Sequence, residues 1–138
     1  MTKFVYLDTS AAAKLFVEEI DSAAFRQWVS ARQDFRYITS DLTRTELRRA
    51  MLIGQIDEAT WEDVESWISR SALIRLTAGL CDEAGVISAR GGLRSLDAIH
   101  TAAAQSVRSS LEALVTYDKR LASAASAWGL PVAMPTDA

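Results

Sequence analysis

Along the chain, short continuous apolar runs alternate with longer segments in which apolar residues recur every three or four positions. The runs are Phe4-Val5-Tyr6-Leu7, Arg36-Tyr37-Ile38-Thr39, Ala72-Leu73-Ile74-Arg75-Leu76, Leu114-Val115-Thr116-Tyr117 and Pro131-Val132-Ala133-Met134, each rich in residues that suit a strand. Between them the helical period recurs. It appears over 10–17 (Ala11, Ala12, Leu15, Phe16), 21–33 (Phe25, Trp28, Val29), 42–53 (Leu47, Ala50, Met51) and 57–71 (Trp61, Val64, Trp67, Ile68). It returns from Thr77 to the Gly91-Gly92 pair, from Leu96 to Val107, and from Leu121 through Trp128 to Gly129. Strands alternating with helices predict βαβ units, an α/β fold with a parallel sheet, and helices on both faces.

Length and composition narrow the class. The 138 residues suit one domain over 1–138, because chains usually split only beyond roughly 250 residues. At 49% hydrophobic and 24% charged the chain can bury a core, and no apolar run is long enough to span a membrane. No basic segment followed by an apolar core opens it, so a cytoplasmic location is expected. The lone Cys81 has no disulfide partner and no ligand-spaced His or Cys nearby, which predicts a packed or inert thiol. A net charge of −3 argues against a generally basic nucleic-acid binder. Arg44, Arg48 and Arg49 nevertheless cluster around Glu46.

The acids fall at telling places. Asp8 and Asp118 each stand where a strand ends and a helix begins, with Thr9-Ser10 and Thr116 beside them. Asp97 lies in the first turn of a helix that Ser95 is expected to cap, and Glu46 lies in a helix that follows a strand. Each has a structural reading as a cap, a dipole partner or a surface ion pair. The other reading is joint: in a parallel sheet all strand ends collect at one rim, where ligands bind. Four carboxylates there would repel one another unless a cation neutralised them. An all-oxygen donor set without a His or Cys cluster points to Mg²⁺ or Mn²⁺, and such a cation suits phosphodiester hydrolysis.

These stretches resemble the PIN domains, and within them the VapC-type toxins of type II toxin–antitoxin pairs. The likeness rests on Val5-Tyr6-Leu7-Asp8-Thr9-Ser10, Thr45-Glu46-Leu47, Ser95 to Ala104, and Leu114 to Leu121, in the family's order over nearly the whole chain. The resemblance implies a three-layer α/β/α sandwich around a parallel sheet, a homodimer, and a Mg²⁺- or Mn²⁺-dependent endoribonuclease restrained by a cognate antitoxin, with DNA met only through that antitoxin. It implies Asp8, Glu46, Asp97 and Asp118 as the acidic, metal-binding site, with Thr9, Ser10 and Thr116 as hydroxyls beside it. His100 matches a common family position, and its setting on an apolar helix reads as a hydrogen-bonded, partly buried histidine. Arg44, Arg48, Arg49, Arg90, Arg94, Lys119 and Arg120 are candidates to offset substrate charge. Phe16, Leu47, Trp61 and Trp67 form either core or a face for the antitoxin or a second copy.

Three other readings compete. A haloacid-type phosphatase needs a second acid two residues after the first, where this chain has Ser10. A receiver domain needs its Asp on a middle strand and a late Lys in an arrangement absent here. A catalytically silent PIN-like module that only binds RNA or protein stays open.

Overall fold

The computed structural model describes residues 2–137. Its centre is β1 (Lys3–Leu7), flanked by β2 (Phe35–Ser40) on one side and β4 (Leu111–Val115) on the other. Beyond them lie β3 (Ala72–Ile74) and β5 (Val132–Ala133), giving the order β3-β2-β1-β4-β5. All pairings are parallel, with Val5 opposite Tyr37 and Ala113.

Successive side chains of a strand face opposite sides, and β1 shows why two helical layers are needed. Tyr6 enters a core with Leu80 and Ile87 of α5 (Ala78–Gly91), Ala98 and Ala102 of α6 (Ser95–Gln105), and Leu121 and Ala125 of α7 (Lys119–Ala127). Val5 and Leu7 enter another with Ala11 and Ala12 of α1 (Thr9–Ala13), Phe25 of α2 (Ser22–Ser30), Leu47 and Met51 of α3 (Asp41–Ile53), and Val64 and Trp67 of α4 (Glu58–Arg70). The result is a three-layer α/β/α sandwich with a wholly parallel sheet. No helix among the described residues is long and apolar enough to cross a membrane.

Several boundaries differ from the sequence pattern. Helix α1 stops at Ala13, because Lys14, Leu15 and Phe16 turn back onto carbonyls three residues earlier. Strand β4 starts at Leu111 and ends at Val115, leaving Thr116 and Tyr117 beyond its end. The cap of α6 is Arg94 rather than Ser95. Leu47 and Trp67 are buried and belong to the core, so no free face is built on them; Phe16 and Trp61 pack partly buried against that core. Exposed large apolar side chains instead include Leu52 and Ile53 at the end of α3. Cys81 is exposed on α5, not packed, because Leu80, Ala84 and Ile87 occupy that helix's inward face.

Candidate active site

At the carboxyl edge of the sheet, Asp8 follows β1 and caps α1. Its Oδ1 accepts from the Ala11 amide at 2.9 Å and the Ser10 hydroxyl at 2.7 Å, and its Oδ2 accepts from the Thr116 hydroxyl at 2.5 Å. The side chain is almost fully buried. Burial raises the Asp8 carboxyl pKa despite the opposing pull of His100 and of these hydrogen bonds.

The hydroxyls also hold neighbouring backbone. Ser10 Oγ accepts from the Tyr117 amide at 3.0 Å and Thr116 Oγ1 from the Asp118 amide at 3.1 Å. The turn after β4 is thereby tied to the turn after β1, two places 108 residues apart. Asp118 caps α7 through the Arg120 and Leu121 amides, so its cap role and its position at the rim coexist.

Glu46 reaches the same rim from α3. Its Oε1 accepts from Thr9 Oγ1 at 2.6 Å and pairs with His100 Nε2 at 2.8 Å. Half-burial pushes the Glu46 pKa up, but the hydrogen bonds from His100 and Thr9 and the His100 charge outweigh it, leaving the carboxyl below its ordinary value. The surface reading of Glu46 paired with Arg48 or Arg49 is not realised, since Arg48 bonds Glu65 on α4 instead. His100 is buried, and its Nδ1 meets the Tyr6 hydroxyl at 2.8 Å. Burial drives the Tyr6 phenol far above its usual range, so the phenol keeps its proton to donate. The ring thus faces the phenol with one nitrogen and the Glu46 carboxylate with the other.

Asp97 lies in the first turn of α6. Arg94 Nε donates to it at 3.2 Å, while another Arg94 nitrogen reaches Asp118 Oδ2 at 3.3 Å. Arg94 is 70% exposed whereas the two carboxylates are 15% and 27% exposed, so it lies over the acids from the solvent side. Glu46, Arg94 and Asp97 line one small cleft of about 290 Å³.

Asp8, Ser10, Thr116, Asp118, Arg94 and Asp97 thus form one connected set, and Thr9, Glu46 and His100 a second beside it. Sequence reasoning missed Tyr6 and Thr39. Thr39 Oγ1 donates to the Leu7 carbonyl at 2.7 Å and lies 2.6 Å from Thr43 Oγ1, fixing the end of β1 against the start of α3. A hydroxyl closing an apolar run was the available signal for Thr39; nothing local marked Tyr6.

The donor chemistry suits a hard divalent cation: carboxylate oxygens only, one of them buried and short of neutralising charge. Among the described residues no three carboxylate, imidazole or thiol groups stand together as a closed cage, and Arg94 lies between two of the acids.

The fold and its acids define a parallel α/β/α protein with an acidic carboxyl edge, and sequence comparison narrows the class. Residues 5–127 match the PIN domain model: the chain belongs to the PIN-domain family. It is 41% identical over 136 residues to Ribonuclease VapC35 of Mycobacterium tuberculosis, covering 97% of this chain and 98% of that one. It is 36% identical over 137 residues to Ribonuclease VapC47 of the same species, covering 95% and 96%. Among solved structures, Mycobacterium tuberculosis VapC20, a sarcin-ricin loop cleaving toxin, superposes with a TM-score of 0.74 at 16% identity, covering 95% of this chain and 99% of that one. The toxin–antitoxin complex from Klebsiella pneumoniae gives 0.70 at 22% identity, covering 97% and 99%.

Proposed function

We propose that the chain is an endoribonuclease toxin that uses Mg²⁺ or Mn²⁺ to hydrolyse RNA phosphodiester bonds and is restrained by a cognate antitoxin. The observation that supports this reading is the run of contacts from Asp8 through Thr116 to Asp118 and through Arg94 to Asp97, with Glu46 and Asp97 lining one cleft beside it. Support comes from relatives that are named ribonucleases and from a solved neighbour that is a toxin–antitoxin complex. Another neighbour, VapBC2 of Rickettsia felis, was solved on a fragment of promoter DNA, in keeping with DNA reached only through the antitoxin. A homodimer acting in the cytoplasm completes the proposal.

In this reading Asp8, Asp97, Glu46 and Asp118 hold the cation. When bound, such a cation polarises a phosphoryl oxygen and lowers the pKa of water. Ser10, Thr116 and the Ala11 amide fix the Asp8 carboxylate in one rotamer; Thr9 and His100 do so for Glu46. Both carboxylates are therefore presented without reorganisation, which is where much catalytic gain arises. The net reaction adds water across one P–O3′ bond, leaving a 5′-phosphate and a 3′-hydroxyl. The only histidine is buried with both nitrogens engaged, so a route through 2′-hydroxyl cyclisation has no imidazole couple to serve it.

The test is cleavage of RNA by the purified chain in Mg²⁺ or Mn²⁺. Activity is expected to vanish in EDTA, return on adding metal, and fall at least about 100-fold in Asp8→Asn. EDTA-resistant cleavage, or products ending in a 2′,3′-cyclic phosphate, would overturn the mechanism.

A further inference from the structure

Beside the acidic rim lies a second, larger cleft of about 660 Å³ between the end of α5 and the outer face of α7. Its charged lining is Arg90, Lys119 and Arg120, with no acidic residue among the lining side chains. All three cations are exposed, and none takes part in an ion pair among the described residues. In a chain of net charge −3, three unpaired cations around an acid-free concavity form a local electropositive trough.

The cleft follows from the order of residues on α7. Positions four apart share a helix face, so Lys119, Ser123 and Ala127 make one row and Arg120, Ala124 and Trp128 a neighbouring one. The small residues in the middle of both rows hollow the surface. Charge remains at the N-terminal end and an indole at the C-terminal end, about 13 Å away at 1.5 Å per residue. The opposite lip is Gly91-Gly92, which carries no side chain to cover the indole: a Cβ built on Gly91 would come 3.8 Å from Trp128 Nε1. Lys119 directly follows Asp118, so the trough starts one residue from the acids proposed to meet the scissile phosphate.

We infer that this cleft is a binding subsite for single-stranded RNA flanking the cleaved bond, with Arg90, Lys119 and Arg120 contacting phosphates and Trp128 stacking a base. The inference rests on the proposed ribonuclease function and deepens it. Cations tracking a backbone beside an aromatic platform are what single-stranded nucleic acid requires. An acidic protein segment would use the cations but gain little from the exposed part of the Trp128 indole, which lies beyond the last positive charge and otherwise packs against the core.

The experiment measures binding separately from cleavage. Fluorescence anisotropy of a 12-nucleotide oligouridine is recorded against Asp8→Asn over a salt series, with and without Arg90→Ala, Lys119→Ala and Arg120→Ala together. The subsite predicts at least tenfold weaker binding in the combined variant. It also predicts a log–log salt slope shallower by about 2, since each phosphate contact on a single strand contributes about 0.7. Trp128→Leu should weaken binding about tenfold while leaving the slope unchanged, as loss of stacking does. Trp128 is partly buried, so the three exposed substitutions test the cleft independently of any folding defect in that variant.

Unchanged affinity and slope in the combined variant overturn the subsite. So does poly-glutamate of equal charge binding as tightly as the RNA, which would make the cleft an acidic-peptide site. If the wild type cleaves no RNA with any divalent metal, yet these binding effects appear, the ribonuclease reading fails while the cleft stands as an RNA site.

Discussion

Asp8 carries two opposed physical demands. Its carboxylate caps a helix and accepts three hydrogen bonds, yet burial makes its charge costly and raises its pKa above 3.8. The folded state therefore binds the Asp8 proton more tightly than the unfolded state does. The stability this contributes is complete below about pH 3.8 and lost as pH rises through the raised folded value. In EDTA, Asp8→Asn should accordingly melt higher than the wild type at neutral pH. The gap should shrink toward acid, and differential scanning calorimetry across pH reads it directly. Glu46 has the opposite sign: its pKa lies below 4.5, so its stabilisation is present above that value and is lost as pH falls through the depressed one. Arg94 lies over Asp97 and Asp118 as a competing positive charge. Arg94→Gln should tighten Mn²⁺ binding a few-fold in calorimetric titration, a modest gain because exposed pairs are worth only about 0.2–1 kcal/mol.

At the level of elements, the site depends on how strand ends are tied to helix starts. Thr39 joins the Leu7 carbonyl, one residue before Asp8, to Thr43 in the first turn of the helix bearing Glu46. Thr39→Val removes both bonds while keeping the shape. It should cost about 1–3 kcal/mol in urea denaturation by leaving buried groups unpaired, and it should lower cleavage although no carboxylate changes. Gly92 ends α5 in the left-handed region at φ 65° with open space around the missing Cβ. Gly92→Ala therefore isolates backbone strain, with an expected loss of about 1–2 kcal/mol. Most elements were legible from hydrophobic period and caps, because these are local properties. Their ends were less so: β4 begins before its continuous apolar run, since Glu112 interrupts the pattern, and the apolar stretch after Ala13 packs as turns rather than extending α1.

For the whole molecule, parallel topology decides the chemistry by sending every strand's carboxyl end to one edge. Mn²⁺ held by acids from several elements should stabilise all of them together. At about 100 times its Kd it should raise stability by about 2.7 kcal/mol, seen as a higher thermal midpoint, and Asp97→Asn should abolish the rise. The alternating pattern determined the α/β class and the parallel sheet and set Asp8 and Asp118 at strand ends, because these are written in neighbouring positions, while the four-acid set came from the motifs that resemble the family. Tertiary structure alone decided that His100 stands between Tyr6 and Glu46, 94 and 54 residues away. It also turned Arg94 toward two acids, faced Cys81 to solvent, and sent Leu47 and Trp67 inward. Such partners are chosen when distant elements pack, and no spacing along a single segment encodes which side chains will share that space.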